Sequence, residues 1–192
     1  MQTLEAIAAR RSIRKFADRR VPEEVINAVL SAAILAPSAK NRQPWRFVVV
    51  AGKEKRAQMI RIMRSGIADT KAHGINTGTA IMTARIMESA PATIFVFNPD
   101  GVHPWLPHAE AQAFMESADT QSIGAAIQNM LLAAQELGLG TLWMCDVWSA
   151  SAQLEAWLGE PGELVAAVAI GYPAEQPPAR PRRPLAEVVR WF

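Results

Sequence analysis

The chain has 192 residues, half of them apolar, with 20 basic and 18 acidic side chains and a formal net charge of +2. That size and apolar content suit one domain with a sizeable core, and the near-balanced charge argues against a general nucleic-acid binder. Cys145 is the only cysteine, which excludes an intrachain disulfide and fits a reducing compartment.

Thr3 to Ala9 reads as a short helix. Pro22 to Leu35 carries Val25, Ile26, Val29, Leu30, Ala33 and Ile34 at helical spacing, with Pro22 suited to the first helical position and Pro37 ending the run. Phe47 to Ala51 is an apolar run long enough only for a buried strand. Lys53 to Arg64 and Thr70 to Ser89 read as helices, the second despite Gly74 and Gly78. Ala92 to Phe97 is a second strand, and the prolines and glycine of Asn98 to His108 make that stretch a loop. Ser117 to Leu137 is the strongest helix, with Ile123, Ala126, Ile127, Met130, Leu131 and Ala134 in one stripe and Gly138 as its stop. Leu139 to Met144 is a third strand, Ser151 to Leu158 a short helix, and Leu164 to Ile170 a fourth strand, apolar throughout and so buried on both faces. Pro173 to Pro184 is a proline-rich arm with no core of its own. Strands alternating with helices indicate an α/β or α+β domain.

Met1 to Glu5 lacks the cationic start and apolar run of a secretory signal. No apolar stretch approaches the ~20 residues that span a bilayer. A soluble, cytoplasmic protein is expected, with no membrane and no nucleic-acid partner.

Three segments carry chemistry. Arg10-Arg11-Ser12-Ile13-Arg14-Lys15-Phe16 crowds cations around one hydroxyl, a poor pattern for a helix interior and a good one for a phosphate. Ala36-Pro37-Ser38-Ala39-Lys40-Asn41-Arg42-Gln43-Pro44-Trp45 leads into the first strand. Arg180-Pro181-Arg182-Arg183-Pro184-Leu185 closes the arm.

In this order and spacing, and with Gly138-Leu139-Gly140-Thr141-Leu142-Trp143 and Gly171-Tyr172-Pro173 between them, the segments resemble the FMN-dependent nitroreductase family. The resemblance spans nearly the whole chain and is weakest between about residues 53 and 115. It implies a single nitroreductase-like domain over residues 1–192, with 173–192 as a C-terminal arm. The implied fold is α+β, a mostly antiparallel central sheet wrapped by helices, in an intertwined homodimer with two flavins at the interface. The arm needs a surface to lie on, and a partner subunit is one. The small residues Gly124, Ala125 and Ala126 suit either close approach of a partner or packing within one subunit.

By this resemblance Arg10, Ser12 and Arg182 hold the FMN phosphate, with Arg11 and Arg180 near it; Arg180 and Arg183 also fit ordinary surface charge. Arg14 matches the basic residue beside the pyrimidine edge, where a fixed guanidinium favours the reduced anion. Pro37, Ser38, Ala39 and Asn41 match the segment that meets the flavin from the partner subunit, and Gln43 supports that loop or the pyrimidine edge. Trp45 is expected in the core, and Lys40 and Arg42 as solvated cations, with attraction of a nicotinamide donor's phosphates as the alternative. Trp143, Met144, Cys145 and Asp146 match the segment passing behind the flavin, with a backbone N–H to N5 within Met144 to Asp146. Where the family often has glycine, this chain has Cys145-Asp146-Val147. Arg85 is a looser match for a flavin contact. Trp105, Phe114 and Met115 either cover the open flavin face or pack onto the body.

The implied activity is hydride transfer from NADH or NADPH through flavin N5 to an electron-poor small-molecule acceptor, such as a nitroaromatic or quinone, in ping-pong order. No protein side chain is expected to act as nucleophile or general acid; the cofactor carries the reaction. Enone reduction, reductive dehalogenation or flavin fragmentation on the same scaffold, and a non-catalytic flavin-binding redox sensor or store, are the alternatives. The Gly138–Gly140 pair is no dinucleotide fingerprint, because the third glycine position holds Trp143. His73, His103 and His108 lack zinc-like spacing, so no metal is expected.

Overall fold

Four antiparallel strands form the central sheet, in the spatial order β1-β2-β4-β3. They are β1 (Arg46–Ala51), β2 (Ala92–Asn98), β3 (Gly140–Met144) and β4 (Glu163–Gly171). The helices are α1 (Thr3–Ala9), α2 (Glu23–Ala33), α3 (Lys53–Ala72), α4 (Ala80–Ser89), α5 (Glu110–Glu136), α6 (Ser151–Leu158) and the short α7 (Leu185–Val188). This is a computed structural model, and it describes residues 2–101 and 110–192. The expected loop over 98–108 and Trp105 fall largely outside the described residues.

The sheet is the middle of three layers. On β2, successive side chains alternate between its two faces. Phe95 and Phe97 join Met59, Met63, Ile67 and Met87 of α3 and α4 in one apolar cluster. Ile94 and Val96 join Val29, Ile123, Ile127 and Met130 of α2 and α5 in the other. Every residue of β2 is buried. Burying one of these large side chains contributes about 1.5–3 kcal/mol, so the two central strands, β2 and β4, anchor both layers. The α5 stripe read from periodicity, Ile123 through Ala134, lies against the sheet. Gly138, at φ 72°, takes the left-handed geometry that stops the helix. Trp45 packs partly buried against the α2–α5 cluster, as expected of a core residue.

Four elements differ from the sequence reading. β1, expected as a buried strand, has only Val50 buried, because it lies at the edge of the sheet. The helix expected over 70–89 is two: α3 runs on to Ala72 and α4 starts at Ala80. Gly74 and Gly78, at φ 77° and 51°, break the chain between them. The long helix begins at Glu110 rather than Ser117. Residues 112–117 are exposed or half-buried, so they carry no apolar stripe to read. Pro22 caps α2 with extended backbone (ψ 147°) instead of opening it.

Gly66 explains how α3 lies on the 146–150 turn. A Cβ there would sit 2.5 Å from the Ala150 side chain, so only glycine permits that approach. Among the described residues, no helix is long and apolar enough to cross a membrane.

Candidate functional site

The N-terminal basic segment runs along the free edge of β3. Ser12 pairs with Thr141 in a parallel bridge, and the Ile13 N–H donates to the Thr141 carbonyl at 2.9 Å. Ile13 turns inward over Gly140, where an added Cβ would lie 2.7 Å from its Cγ1. Arg10, Arg11, Ser12 and Arg14 are left half-buried or exposed on the outer side.

The chain returns to the same place after β4. Phe16 pairs with Pro173, the Ala17 N–H donates to Tyr172 O (2.9 Å), and the Ala174 N–H donates to Lys15 O (2.9 Å). The Glu175 carboxylate accepts the backbone N–H groups of Arg14 (2.5 Å) and Lys15 (3.1 Å). This lacing aims residues 177–182 back across α1. Proline at 177, 178 and 181 fixes φ and stiffens the return.

The result is a cleft of about 680 Å³ between α1, the basic segment and the arm. It is lined by Arg10, Arg11, Ser12, Arg14, Arg180 and Arg182, with no carboxylate lining it among the described residues. Arg11 Nη1 donates to the carbonyls of Ala8 (2.6 Å) and Arg10 (2.8 Å), and Arg182 Nη1 to those of Arg180 (3.1 Å) and Pro181 (3.2 Å). Arg14 Nη1 donates to Ser12 O at 3.2 Å. Each of these guanidiniums thus spends one nitrogen on the backbone and keeps others for a ligand. Burial, then the neighbouring charges of Arg182 and Arg11, lowers the pKa of Arg10 from its ordinary value. Like charges gathered without a counter-ion are the electrostatic mark of an anion site. The donor set fits a phosphate monoester.

Segment 37–43 lies elsewhere, docked on α5. The Ala39 N–H donates to Ser122 Oγ (3.2 Å), and Ser38 Oγ accepts the Gln43 N–H (3.0 Å). Arg42, expected to be solvated, makes a two-pronged pair with the buried Asp119 at 3.1 Å from both Nε and Nη2, and its Nη2 also reaches Asp100 at 3.2 Å. Neither Asp119 nor Ser122 carried a signal in the sequence. Lys40, Asn41 and Gln43 all have positive φ, between 52° and 56°. Such backbone costs on the order of 1–3 kcal/mol per residue. Pro37, Ser38, Ala39, Asn41 and Gln43 do not line the arginine cleft of their own chain.

The 143–146 segment is the end of β3 and the two residues after it, on the strand whose Thr141 pairs with Ser12. Trp143 is 38% exposed, while Met144 is buried. Asp146 is half-buried, and its Oδ2 accepts from the Thr79 hydroxyl and from Thr83 Oγ1 (3.0 Å), joining the turn after β3 to the start of α4. The Cys145 thiol is pushed above its ordinary pKa by burial first and by the Asp146 charge second. That disfavours the thiolate, while the residue itself is exposed. Arg85, on α4, is exposed, its Nη1 3.8 Å from Met82 Sδ, and does not line the cleft. Among the described residues no cluster of potential metal ligands occurs. Phe114, on α5, is 73% exposed.

Comparisons with known proteins identify the family and the fold. A family model described as the nitroreductase family matches residues 7–172. A protein of Methanothermobacter thermautotrophicus, provisionally named an NADH dehydrogenase/NAD(P)H nitroreductase, is 33% identical over 185 residues, covering 94% of this chain and 82% of that protein. Pig (Sus scrofa) iodotyrosine deiodinase 1 is 29% identical over 197 residues, covering 96% of this chain and 66% of its own. A provisionally named nitroreductase from Desulfovibrio desulfuricans, crystallised in complex with FMN, superposes with a TM-score of 0.77 at 32% identity, covering 100% of this chain and 97% of the other. The antiparallel sheet between two helical layers is thus the nitroreductase-like α+β fold, and the chain belongs to the nitroreductase family.

Proposed function

We propose that the protein is an FMN-dependent oxidoreductase of the nitroreductase type. The observation that carries the reading is the cleft in which five arginines from opposite ends of the chain meet around Ser12, with no carboxylate lining it among the described residues. A phosphate dianion partly withdrawn from water needs several charge-assisted donors, and this cleft offers them. The FMN in the Desulfovibrio desulfuricans structure is consistent with that ligand. When bound, FMN supplies the redox chemistry, taking a hydride from NADH or NADPH and delivering two electrons to a nitroaromatic, a quinone or a similar electron-poor acceptor.

The chain's own residues bind and orient. Arg10, Ser12 and Arg182 grip the phosphate, with Arg11 and Arg180 adding charge. Arg14 sits beside the pyrimidine edge, where its charge favours the reduced ring. The backbone of Trp143 to Asp146, held rigid by Asp146 against α4, backs the ring. Arg85 is an outer contact. Pro37, Ser38, Ala39, Asn41 and Gln43 complete the site from a second copy of the chain, which makes the homodimer the working unit and residues 173–192 an arm of one 1–192 domain. The protein is cytoplasmic and needs no other macromolecular partner.

The deiodinase relative supports a second reading on the same site, reductive removal of halide from an aromatic ring. Turnover assays with NADH or NADPH separate the two. A nitroaromatic or quinone consumed with parallel double-reciprocal plots supports the first reading, and halide release with no nitroaromatic or quinone turnover supports the second.

A further inference from the structure

Segment 38–43 is held in a conformation that its own residues disfavour. Lys40, Asn41 and Gln43 lie in the left-handed region, which asparagine tolerates but lysine and glutamine avoid. Such backbone persists only where its surroundings over-determine it. The strongest of those surroundings is Arg42, which lies between the strained residues and reaches back to α5. Its fork meets both oxygens of Asp119 at 3.1 Å, and Asp119 is only 2% exposed. A buried carboxylate stripped of its partner is strongly unfavourable, so the pair ties loop to helix. Ser122, one turn further along α5, adds a second tie: its Oγ accepts the Ala39 N–H at 3.2 Å and donates to Ala118 O at 2.8 Å. Arg42 itself stays partly accessible, and Lys40 and Asn41 are exposed.

We propose that Arg42 and Asp119 are positioning residues, whose pair pins segment 38–43 in its left-handed geometry and so preorganises Asn41 and its neighbouring backbone to meet the ring of a flavin bound by a second copy of the chain. The proposal rests on the FMN reading above. It assigns the segment to the ring and the arginine cleft to the phosphate, two contributions that can be measured apart.

FMN and riboflavin share the ring and differ in the phosphate. Their affinities for the full-length apoprotein are to be measured by quenching of flavin fluorescence, with far-ultraviolet circular dichroism and sedimentation recording fold and dimer. Arg42→Gln is expected to weaken FMN and riboflavin by a similar factor, about tenfold, the scale of one lost charge-assisted hydrogen bond. Arg42→Lys, which keeps the charge without the fork, is expected to fall with it. Asp119→Asn is expected to do the same, and the double variant Arg42→Gln/Asp119→Asn to be no worse than the sum of the singles predicts and measurably better. Arg182→Ala is expected to weaken FMN alone.

Riboflavin affinity unchanged in Arg42→Gln, beside a loss of FMN affinity in Arg182→Ala, overturns the positioning role and leaves the flavin reading standing. Wild-type protein that binds neither flavin sinks the flavin reading itself. If Arg42→Gln fails to fold or dimerise, Arg42→Lys decides, and wild-type riboflavin affinity in that variant overturns the proposal.

Discussion

Arg10 and Arg182 stand 172 residues apart in the chain and line one cleft, close enough that the charge of Arg182 helps lower the proton affinity of Arg10. Two guanidiniums held together without a carboxylate are unfavourable in the empty protein. That arrangement becomes favourable once a dianion lies between them.

Replacing Arg182 by alanine therefore acts on the phosphate alone. FMN affinity is expected to fall by about 1.5–3 kcal/mol, the worth of a charge-assisted hydrogen bond, while the unfolding temperature of the apoprotein holds or rises slightly. Fluorescence titration and thermal unfolding of the same preparation check both halves.

Gly140 is fixed by Ile13. Gly140→Ala would drive a methyl to 2.7 Å from Ile13 Cγ1 and push the basic segment off the β3 edge. A loss of about 1–3 kcal/mol in stability is expected from overpacking, read from urea unfolding. Weaker FMN binding should accompany it, because Ser12 pairs with Thr141 next door.

Asp146 is a strut between β3 and α4. Asp146→Ala removes the acceptor of both the Thr79 and Thr83 hydroxyls. Stability should drop by about 1–2 kcal/mol, with the amide protons at the start of α4 losing protection in hydrogen exchange.

The Cys145 thiol offers a pH test. Its pKa is raised by burial and then by Asp146. At any given pH the thiolate fraction is therefore smaller than for an ordinary cysteine, and alkylation is slower. The alkylation rate should climb with pH to a midpoint above the ordinary thiol value. Asp146→Asn, which removes the negative neighbour, should shift that midpoint downward. A midpoint at or below the ordinary value in the wild type contradicts the assignment.

Features local in sequence were legible before the fold. The apolar stripe of α5, the continuous β4, and the two basic segments all lie within windows of a few turns, where periodicity and residue type speak directly. The two ends of the arginine cleft were recognised through the family resemblance; no pattern in the chain itself couples residue 10 to residue 182. What stayed hidden were pairings between distant positions of ordinary composition. Arg42 read as a solvated cation because its partner Asp119 lies 77 positions on, inside a helix where an aspartate carries no special mark. Asp146 enters the flavin segment through the family resemblance, and its tie to α4 stays hidden because Thr79 and Thr83 lie 67 and 63 positions away. The break between α3 and α4 had its glycines in view, but a single glycine within a helical pattern lowers propensity without fixing a boundary. The left-handed backbone at Lys40 and Gln43 goes against residue preference and is imposed by tertiary contacts.

Whether the arginine cleft serves FMN in an NAD(P)H-dependent oxidoreductase is read from the visible spectrum of the full-length protein. The protein is to be purified, supplemented with FMN, freed of excess, and recorded without oxygen before and after NADH or NADPH is added. Retained FMN is expected, with a visible absorption that bleaches with the nicotinamide and returns when a quinone or nitroaromatic is added. A protein that retains no FMN, or whose bound FMN neither nicotinamide bleaches, would contradict it.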